Sequence, residues 1–89
     1  MAQKGRMVEI GKTAVSILIK RKRASLILLS LDASDKLKKE IELECQRNNI
    51  SIYIFCTTSE LGKLFGRDGV AVIGISDSNL ANGIKEALL

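Results

Sequence analysis

Gly11, Lys12 and Thr13 stand in the order that ends a nucleotide-binding phosphate loop, G-x-x-x-x-G-K-[ST]. In such a loop the backbone N–H groups cradle the phosphates, the lysine reaches the terminal phosphates and the hydroxyl meets Mg²⁺. The first glycine of the pattern would be residue 6, which is Arg6, and Gly5 comes one position too early. The pattern is therefore incomplete at the glycine that shapes the turn.

The surroundings of this segment do not suit a phosphate loop either. Such a loop leaves a strand and enters a helix, whereas only Met1–Lys4 precede Gly5. The later run LILLSLD, which ends at Asp32, has the form of a Mg²⁺-binding strand, but any buried strand followed by a capping aspartate has that form. We therefore predict no nucleotide cofactor, and a small nucleotide hydrolase is the least favoured of three functional hypotheses.

Residue types that carry catalysis or bind metals are scarce elsewhere. The chain has no histidine, and its two cysteines, Cys45 and Cys56, are separated by ten residues. Without a C-x-x-C pair zinc binding is not indicated, and free buried thiols are expected. No pair of carboxylates lies in a setting that favours acid–base chemistry. The sequence predicts a protein with no enzymatic activity, no cofactor and no metal.

The positive charge is concentrated at the start of the chain. Residues 1–24 carry seven basic side chains and one acidic side chain, a net charge of +6, whereas residues 25–89 carry seven basic and nine acidic ones, a net charge of −2. Such asymmetry favours a polyanionic partner, and nucleic acid is the first candidate. The alternative interpretation is a lysine-rich surface that is simply solvated.

The hydrophobic pattern alternates between strands and helices over one domain of residues 1–89. A helix is predicted from Lys12 to Arg21, with Lys12, Ser16 and Lys20 on one basic stripe. A second helix follows a cap at Asp32 or Ser34. The remaining predicted elements are strands at 6–10, 24–31, 50–55 and 70–76, a short helix at 59–66, a turn at 67–69 and a last helix after Asp77.

This order, β-α-β-α-β-α-β-α, predicts an α/β fold, a three-layer α/β/α sandwich around a mainly parallel four-stranded sheet. The apolar runs AVSILI and ASLILLSL are split by KRKR. Neither approaches the ~20 residues that a membrane helix needs. We therefore expect a cytoplasmic protein with no membrane partner.

Four segments in order, AQKG, RASLILLSLDAS, SELGKLFG and VAVIGISDSNLANGI, resemble one family. It is the YlxQ-like bacterial branch of the kink-turn RNA-binding ribosomal-protein superfamily, and the resemblance covers essentially the whole chain. It implies a non-catalytic α/β/α sandwich that binds structured RNA. In the superfamily the RNA face is formed by the start of the helix after G-x-N-E-x-x-K and by the loop before the last strand.

The resemblance places the motif glycine on Gly11 and the three base-reading residues on Thr13, Ala14 and Ile17. The Asn, Glu and Lys that read paired guanines in a kinked stem are thus all replaced. Thr13 keeps one hydroxyl, whereas Ala14 and Ile17 cannot hydrogen-bond a base edge. The family also usually has a fuller helix ahead of the AQKG-like segment.

The leading hypothesis is a protein that binds structured RNA, with ribosomal RNA included, through a basic face of the first helix. The predicted contacts are Gly11, Lys12, Thr13 and Lys20, flanked by Arg67, Asp68, Gly69 and Val70 of the loop before the last strand. The alternative is a protein-interaction or structural module that binds a protein partner or self-associates. The replaced reading residues and the shorter N-terminal segment motivate that alternative.

Overall fold

The computed structural model describes residues 7–88, so the AQKG segment lies outside the described residues. Strands and helices alternate in the predicted order: β1 (Val8–Ile10), α1 (Lys12–Lys20), β2 (Leu26–Leu29), α2 (Asp35–Asn48), β3 (Ser51–Ile54), α3 (Thr58–Leu64), β4 (Val72–Ile75) and α4 (Ser78–Leu88). All eight predicted elements are therefore present.

The sheet is mixed, and the prediction of a mainly parallel sheet was wrong. The strand order is β1-β4-β2-β3. Only β2 and β3 pair in parallel, whereas β4 runs antiparallel to both β1 and β2. One end of the sheet, called here the carboxyl end, therefore gathers the last residues of β1, β2 and β3 and the first residue of β4.

The connection between β3 and β4 explains why β4 is reversed. After α3 the chain turns back along the helix, because the Arg67 N–H donates to the Gly62 carbonyl at 2.7 Å and the Val70 N–H donates to the Thr58 carbonyl at 3.2 Å. The connection therefore ends where it began, at the carboxyl end of the sheet. A parallel connection would have to carry the chain back across the sheet.

Gly62 is required for this folded-back connection. A Cβ atom at this position would lie 2.8 Å from the Arg67 carbonyl oxygen and 3.0 Å from the Gly69 nitrogen. Both contacts are with backbone, which cannot rotate away as a side chain can. The absence of a side chain at residue 62 thus lets residues 66–70 pack directly on α3.

The two faces of the sheet are covered by different helices, which gives three layers. Helices α1 and α2 cover one face with Val15, Ile19 and Ile41. Helices α3 and α4 cover the other face with Leu61 and Ala81. The central strands β2 and β4 are buried along their full length, as expected for strands that are covered on both faces.

Local capping residues set the helix boundaries much as the sequence predicts. Ser34 caps α2 by accepting the Leu37 N–H at 3.2 Å. Thr57 and Glu60 form the predicted capping box of α3. Asp77 caps α4 by accepting the Leu80 N–H at 2.8 Å. Asn49, with φ 57°, adopts the left-handed conformation that ends α2.

The described residues also bear on three smaller points raised by the sequence. Cys45 and Cys56 are free thiols, and burial raises the pKa of Cys45 to about 11. No helix within residues 7–88 is long and apolar enough to span a bilayer. Residues 8–10, which the phosphate-loop pattern would place in its turn, form strand β1 instead.

Candidate nucleic-acid interface

Gly11 forms the junction between β1 and α1 in a conformation that suits only glycine. Its φ of 99° and ψ of 157° lie in a region that a Cβ atom essentially excludes. As the N-cap residue of α1 it supplies no side chain to bond the first-turn N–H groups, and the first turn contains no acidic residue. Unbonded N–H groups at a helix N-terminus favour an anion such as a phosphate.

The strand that follows the loop of residues 66–70 lies directly beside Gly11. The Gly11 N–H donates to the carbonyl oxygen of Val72 at 3.1 Å, and Val72 follows the loop by two residues. Ile10 of β1 pairs with Ile73 of β4, and this pairing sets the position of Gly11 relative to Val72. The structure therefore brings the helix start close to the loop that the sequence analysis assigned to the same site, although 54 residues lie between Gly11 and Gly66.

Within the loop, the predicted contact residues differ in accessibility. Arg67, Asp68 and Gly69 are exposed to solvent. Val70 is only 4% exposed and packs in the core against α3 and β4. Its side chain is thus not available to a ligand, and any contact at this position would involve the exposed residues before it.

The basic stripe of α1 does not form one free surface. The Lys12 ammonium lies 2.6 Å from the Glu40 carboxylate of α2, and this bond lowers the pKa of Glu40. Ser16 donates to the Glu44 carboxylate at 3.3 Å. The first two positions of the stripe therefore face α2. The side chain of Lys12 is nevertheless 52% exposed, so a phosphate could compete with Glu40 for it.

Lys20 lies at the opposite end of α1 from Gly11. Eight residues separate Lys12 from Lys20, which places them about 12 Å apart along the helix axis. The structure therefore keeps Lys20 away from the loop at 66–70 and places it beside Arg47 at the end of α2, where both border one shallow groove.

Thr13 and Ile17 occupy the outer face of α1. Thr13 is exposed, and the Ile17 side chain is 46% exposed. Ala14, Ile17 and Leu18 form the apolar side of a groove of about 400 Å³ between α1 and the edge strand β1. Two of the three positions that correspond to base-reading residues thus present apolar atoms beside the candidate site.

Hydrogen bonds between Asp32 and Thr58 connect the turn after β2 to the start of α3 at the carboxyl end of the sheet. The Asp32 carboxylate accepts the Thr58 N–H at 2.8 Å and also its hydroxyl. These two hydrogen bonds lower the pKa of Asp32. The bonds hold the turn after β2 against the start of α3, and so position the helix on which the loop packs.

Sequence reasoning did not identify Glu40 as the partner of Lys12, because the two residues belong to different helices and no local pattern pairs them.

Within residues 7–88, no cluster of three or more His, Cys, Asp or Glu side chains could hold a metal ion. The described part of the site therefore offers backbone donors, hydroxyls and a few cations.

Comparisons with known proteins identify similar chains. The chain is 28% identical over 88 residues to the RNA-binding protein YlxQ of Bacillus subtilis (strain 168), an alignment that covers 99% of this chain and 88% of that protein. A solved structure of a protein with unknown function from Bacillus halodurans C has the same fold, with a TM-score of 0.88 and 24% identity, over 96% of this chain and 86% of that chain.

The model of the ribosomal protein L7Ae/L30e/S12e/Gadd45 family matches residues 1–87, nearly the whole chain. The chain is thus a YlxQ-like protein, and it belongs to the ribosomal protein L7Ae/L30e/S12e/Gadd45 family.

Proposed function

We propose that this protein binds structured RNA without catalysing a reaction, through the N-terminus of α1 and the loop of residues 66–70. The observation that carries the proposal is the hydrogen bond between Gly11 and Val72, which sets the two segments side by side. Family membership and the similarity to an RNA-binding protein support it.

The chemistry of the site favours contacts with phosphates and sugars over contacts with base edges. Backbone N–H groups at a helix N-terminus, together with Thr13 and Arg67, are typical partners of phosphate and ribose oxygens. Ala14 and Ile17 offer no hydrogen bond for a base. The proposed ligand is therefore RNA that is recognised by its folded shape, such as a kinked stem, with ribosomal RNA as one source.

Binding to a kink-turn stem and to a plain duplex of equal length tests this proposal. Measurements at ~50 and ~200 mM salt separate recognition of shape from general attraction to phosphates, because the latter falls steeply with salt. We expect the kinked stem to be preferred at both salt concentrations. Equal affinity for both RNAs, lost at the higher salt, would contradict recognition of a kinked shape.

Thr13→Asp locates the binding face. A carboxylate in the first turn stabilises a helix through its dipole, so this variant should remain folded. The same carboxylate would repel phosphate, and we expect binding about tenfold weaker, equivalent to ~1.4 kcal/mol. Asn82→Asp, an equal change of charge on the exposed face of α4, serves as the control and should leave affinity unchanged.

Protein binding is the second candidate function, and the groove beside α1 is the observation that favours it. Ala14, Ile17 and Leu18 give this groove an apolar wall next to the edge strand β1. Sedimentation over a wide range of protein concentrations tests for self-association. A dimer that Ile17→Lys dissociates, together with equal affinity for the kinked stem and the duplex, would favour this function.

A further inference from the structure

We propose that the end of the molecule opposite the candidate RNA site forms a second RNA contact, which binds the phosphate backbone of a double-helical segment. Its residues, named here the basic end, are Lys20, Arg21, Lys22, Arg23 and Arg47. The inference rests on the proposed RNA-binding function and extends it to a surface outside the helix start and the loop at 66–70.

All five side chains of the basic end are exposed, and none forms an ion pair within the described part of the chain. Three acidic residues lie near these five cations. Glu44 lines the groove between Lys20 and Arg47 and accepts the Ser16 hydroxyl, Asp77 caps α4, and Glu9 lines the groove beside α1. The basic end is therefore a concentration of cations that the described fold does not neutralise.

The candidate site at the carboxyl end of the sheet lacks such an excess of charge. There, Lys12 is paired with Glu40, and Arg67 is followed directly by Asp68. Phosphate-driven affinity requires lysines and arginines that displace counterions. The basic end offers five such side chains, each exposed and without an ion pair among the described residues.

Three shallow depressions that share residues lie between four of these cations. One depression of about 250 Å³ is bordered by Lys22 and Arg47, and a second of about 450 Å³ is bordered by Lys22, Arg23 and Ser76. The groove beside α1 then continues from Arg23 and Ser76 to Arg21. Arginines, lysines and neutral hydroxyls along one track are the groups that contact phosphate and sugar oxygens.

The backbone of Lys22 gives an independent reason to assign a role to this surface. Lys22 has φ 58°, a left-handed conformation, at the position after α1 where glycine is strongly favoured. Its N–H donates to the Ile19 carbonyl at 2.9 Å, and the Arg23 N–H donates to the Leu18 carbonyl at 3.1 Å, as in a Schellman motif. A lysine is thus present where local conformation alone would select glycine.

Helix dipoles account for only part of this cluster. Lys20 and Arg47 lie in the last turns of α1 and α2, where cations compensate the exposed carbonyl groups. Lys22 and Arg23 lie beyond the helix, and their own backbone N–H groups already occupy the carbonyls of Leu18 and Ile19. The side chains of Lys22 and Arg23 are therefore not required to complete the helix end.

Helix α1 connects the two contact surfaces. It begins at Gly11 and ends at the basic end, and its nine residues span about 13 Å. Its outer face, with Thr13 and Ile17, lies between the two surfaces. One RNA stem lying along α1 would therefore contact both surfaces. Its folded part would lie at the candidate site, and its flanking duplex would lie at the basic end.

The test compares a short kinked stem with the same stem extended by one turn of duplex. The variant Lys22→Gly/Arg23→Gln removes two charges, and because glycine suits the left-handed position, this variant should be at least as stable as the wild-type protein. Lys36→Gln/Lys39→Gln, on the exposed surface of α2, removes the same charge and serves as the control. Affinity is measured over a series of salt concentrations, and stability by thermal denaturation.

For the wild-type protein and the control, we expect the extended stem to bind at least tenfold more tightly than the short stem. For Lys22→Gly/Arg23→Gln, we expect this gain to disappear and the log–log salt slope on the extended stem to fall by about two, one for each phosphate that the variant no longer binds. An unchanged gain in this variant would overturn the basic end as an RNA-binding surface while leaving the proposed function intact. If the wild-type protein binds neither stem, both proposals are wrong.

Discussion

The backbone N–H of Gly11 donates a hydrogen bond of 3.1 Å to the carbonyl oxygen of Val72, and this bond joins the two halves of the candidate RNA site. Gly11 precedes the helix whose N-terminus is proposed to contact RNA, and Val72 begins the strand that follows the loop. Because both atoms belong to the backbone, their geometry depends on backbone conformation, and glycine substitutions are the direct way to perturb it.

Gly11→Ala should weaken both the fold and RNA binding. The φ of 99° and ψ of 157° at Gly11 are strongly unfavourable for alanine, so we expect unfolding to become easier by about 1–3 kcal/mol. The helix start should shift and lose part of its RNA affinity. Urea denaturation and RNA titration of the same sample measure the two effects.

Gly83→Ala is the matched control for Gly11→Ala. Gly83 lies in α4, and nothing is within 4 Å of the position that a Cβ atom would take. Alanine should therefore stabilise the protein by about 1 kcal/mol through helix propensity and leave RNA affinity unchanged. If Gly11→Ala behaved like Gly83→Ala in both measurements, Gly11 would have no special role.

Gly62→Ala should displace the loop of residues 66–70. The new methyl group would lie 2.8 Å from the Arg67 carbonyl oxygen, and we expect a destabilisation of about 1–3 kcal/mol as the loop lifts from α3. NMR amide shifts should change for residues 66–70. Gly69→Ala is the control, since its methyl group would make an ordinary 3.5 Å contact with Thr58, and it should leave the other amides of the loop in place.

Glu40→Gln should strengthen RNA binding, because it releases Lys12 from its ion pair. Any loss of negative charge raises affinity for a polyanion slightly, so the comparison must be made with an equal change elsewhere on α2. Glu42→Gln is that control, since Glu42 is exposed and has no ion pair among residues 7–88. If both variants gained the same affinity at ~50 mM salt, Lys12 would not be an RNA contact.

Asp32→Asn should remove a pH-dependent part of the stability. Hydrogen bonds from Thr58 lower the pKa of Asp32 below its ordinary value of 3.8. Stability from this group is therefore present above that value and lost as the pH falls through the folded-state pKa. The variant should be less stable than the wild-type protein at neutral pH, and the difference should shrink at a pH below 3.8.

Urea denaturation at the two pH values measures this difference. Asp68→Asn is the control, because the described structure gives Asp68 no hydrogen bond, and it should leave stability unchanged at both pH values. A constant difference between wild type and Asp32→Asn at all pH values would show that the carboxylate charge is not involved.

The sequence predicts the elements of this fold well, because their signals are local. Thr57 and Glu60 form the predicted capping box, and Asp77 caps the last helix. The direction of β4 could not be predicted, since it depends on the loop folding back over Gly62, a contact set by tertiary packing. The alternation of strands and helices therefore predicted the layers correctly, but it gave the wrong direction for β4.

The candidate site was predictable only in outline. The family resemblance identified Gly11 and the loop at 66–70, and the structure places them side by side. The charged residues were harder to assign, because a stripe on one helix does not reveal what faces it. Lys12 meets Glu40, and Lys20 belongs to the far end of α1, and both facts depend on how α1 packs against α2.

The pairing of the first described strand with the last one also affects when the protein can bind during its synthesis. Residues 10 and 73 are neighbours in the sheet, and 62 residues lie between them in the chain. Contacts between such distant residues form late, because a long loop must close first. A ribosome that has made only the first two-thirds of the chain has therefore produced α1 without the loop that completes the site, so the candidate site is complete only after β4 has emerged.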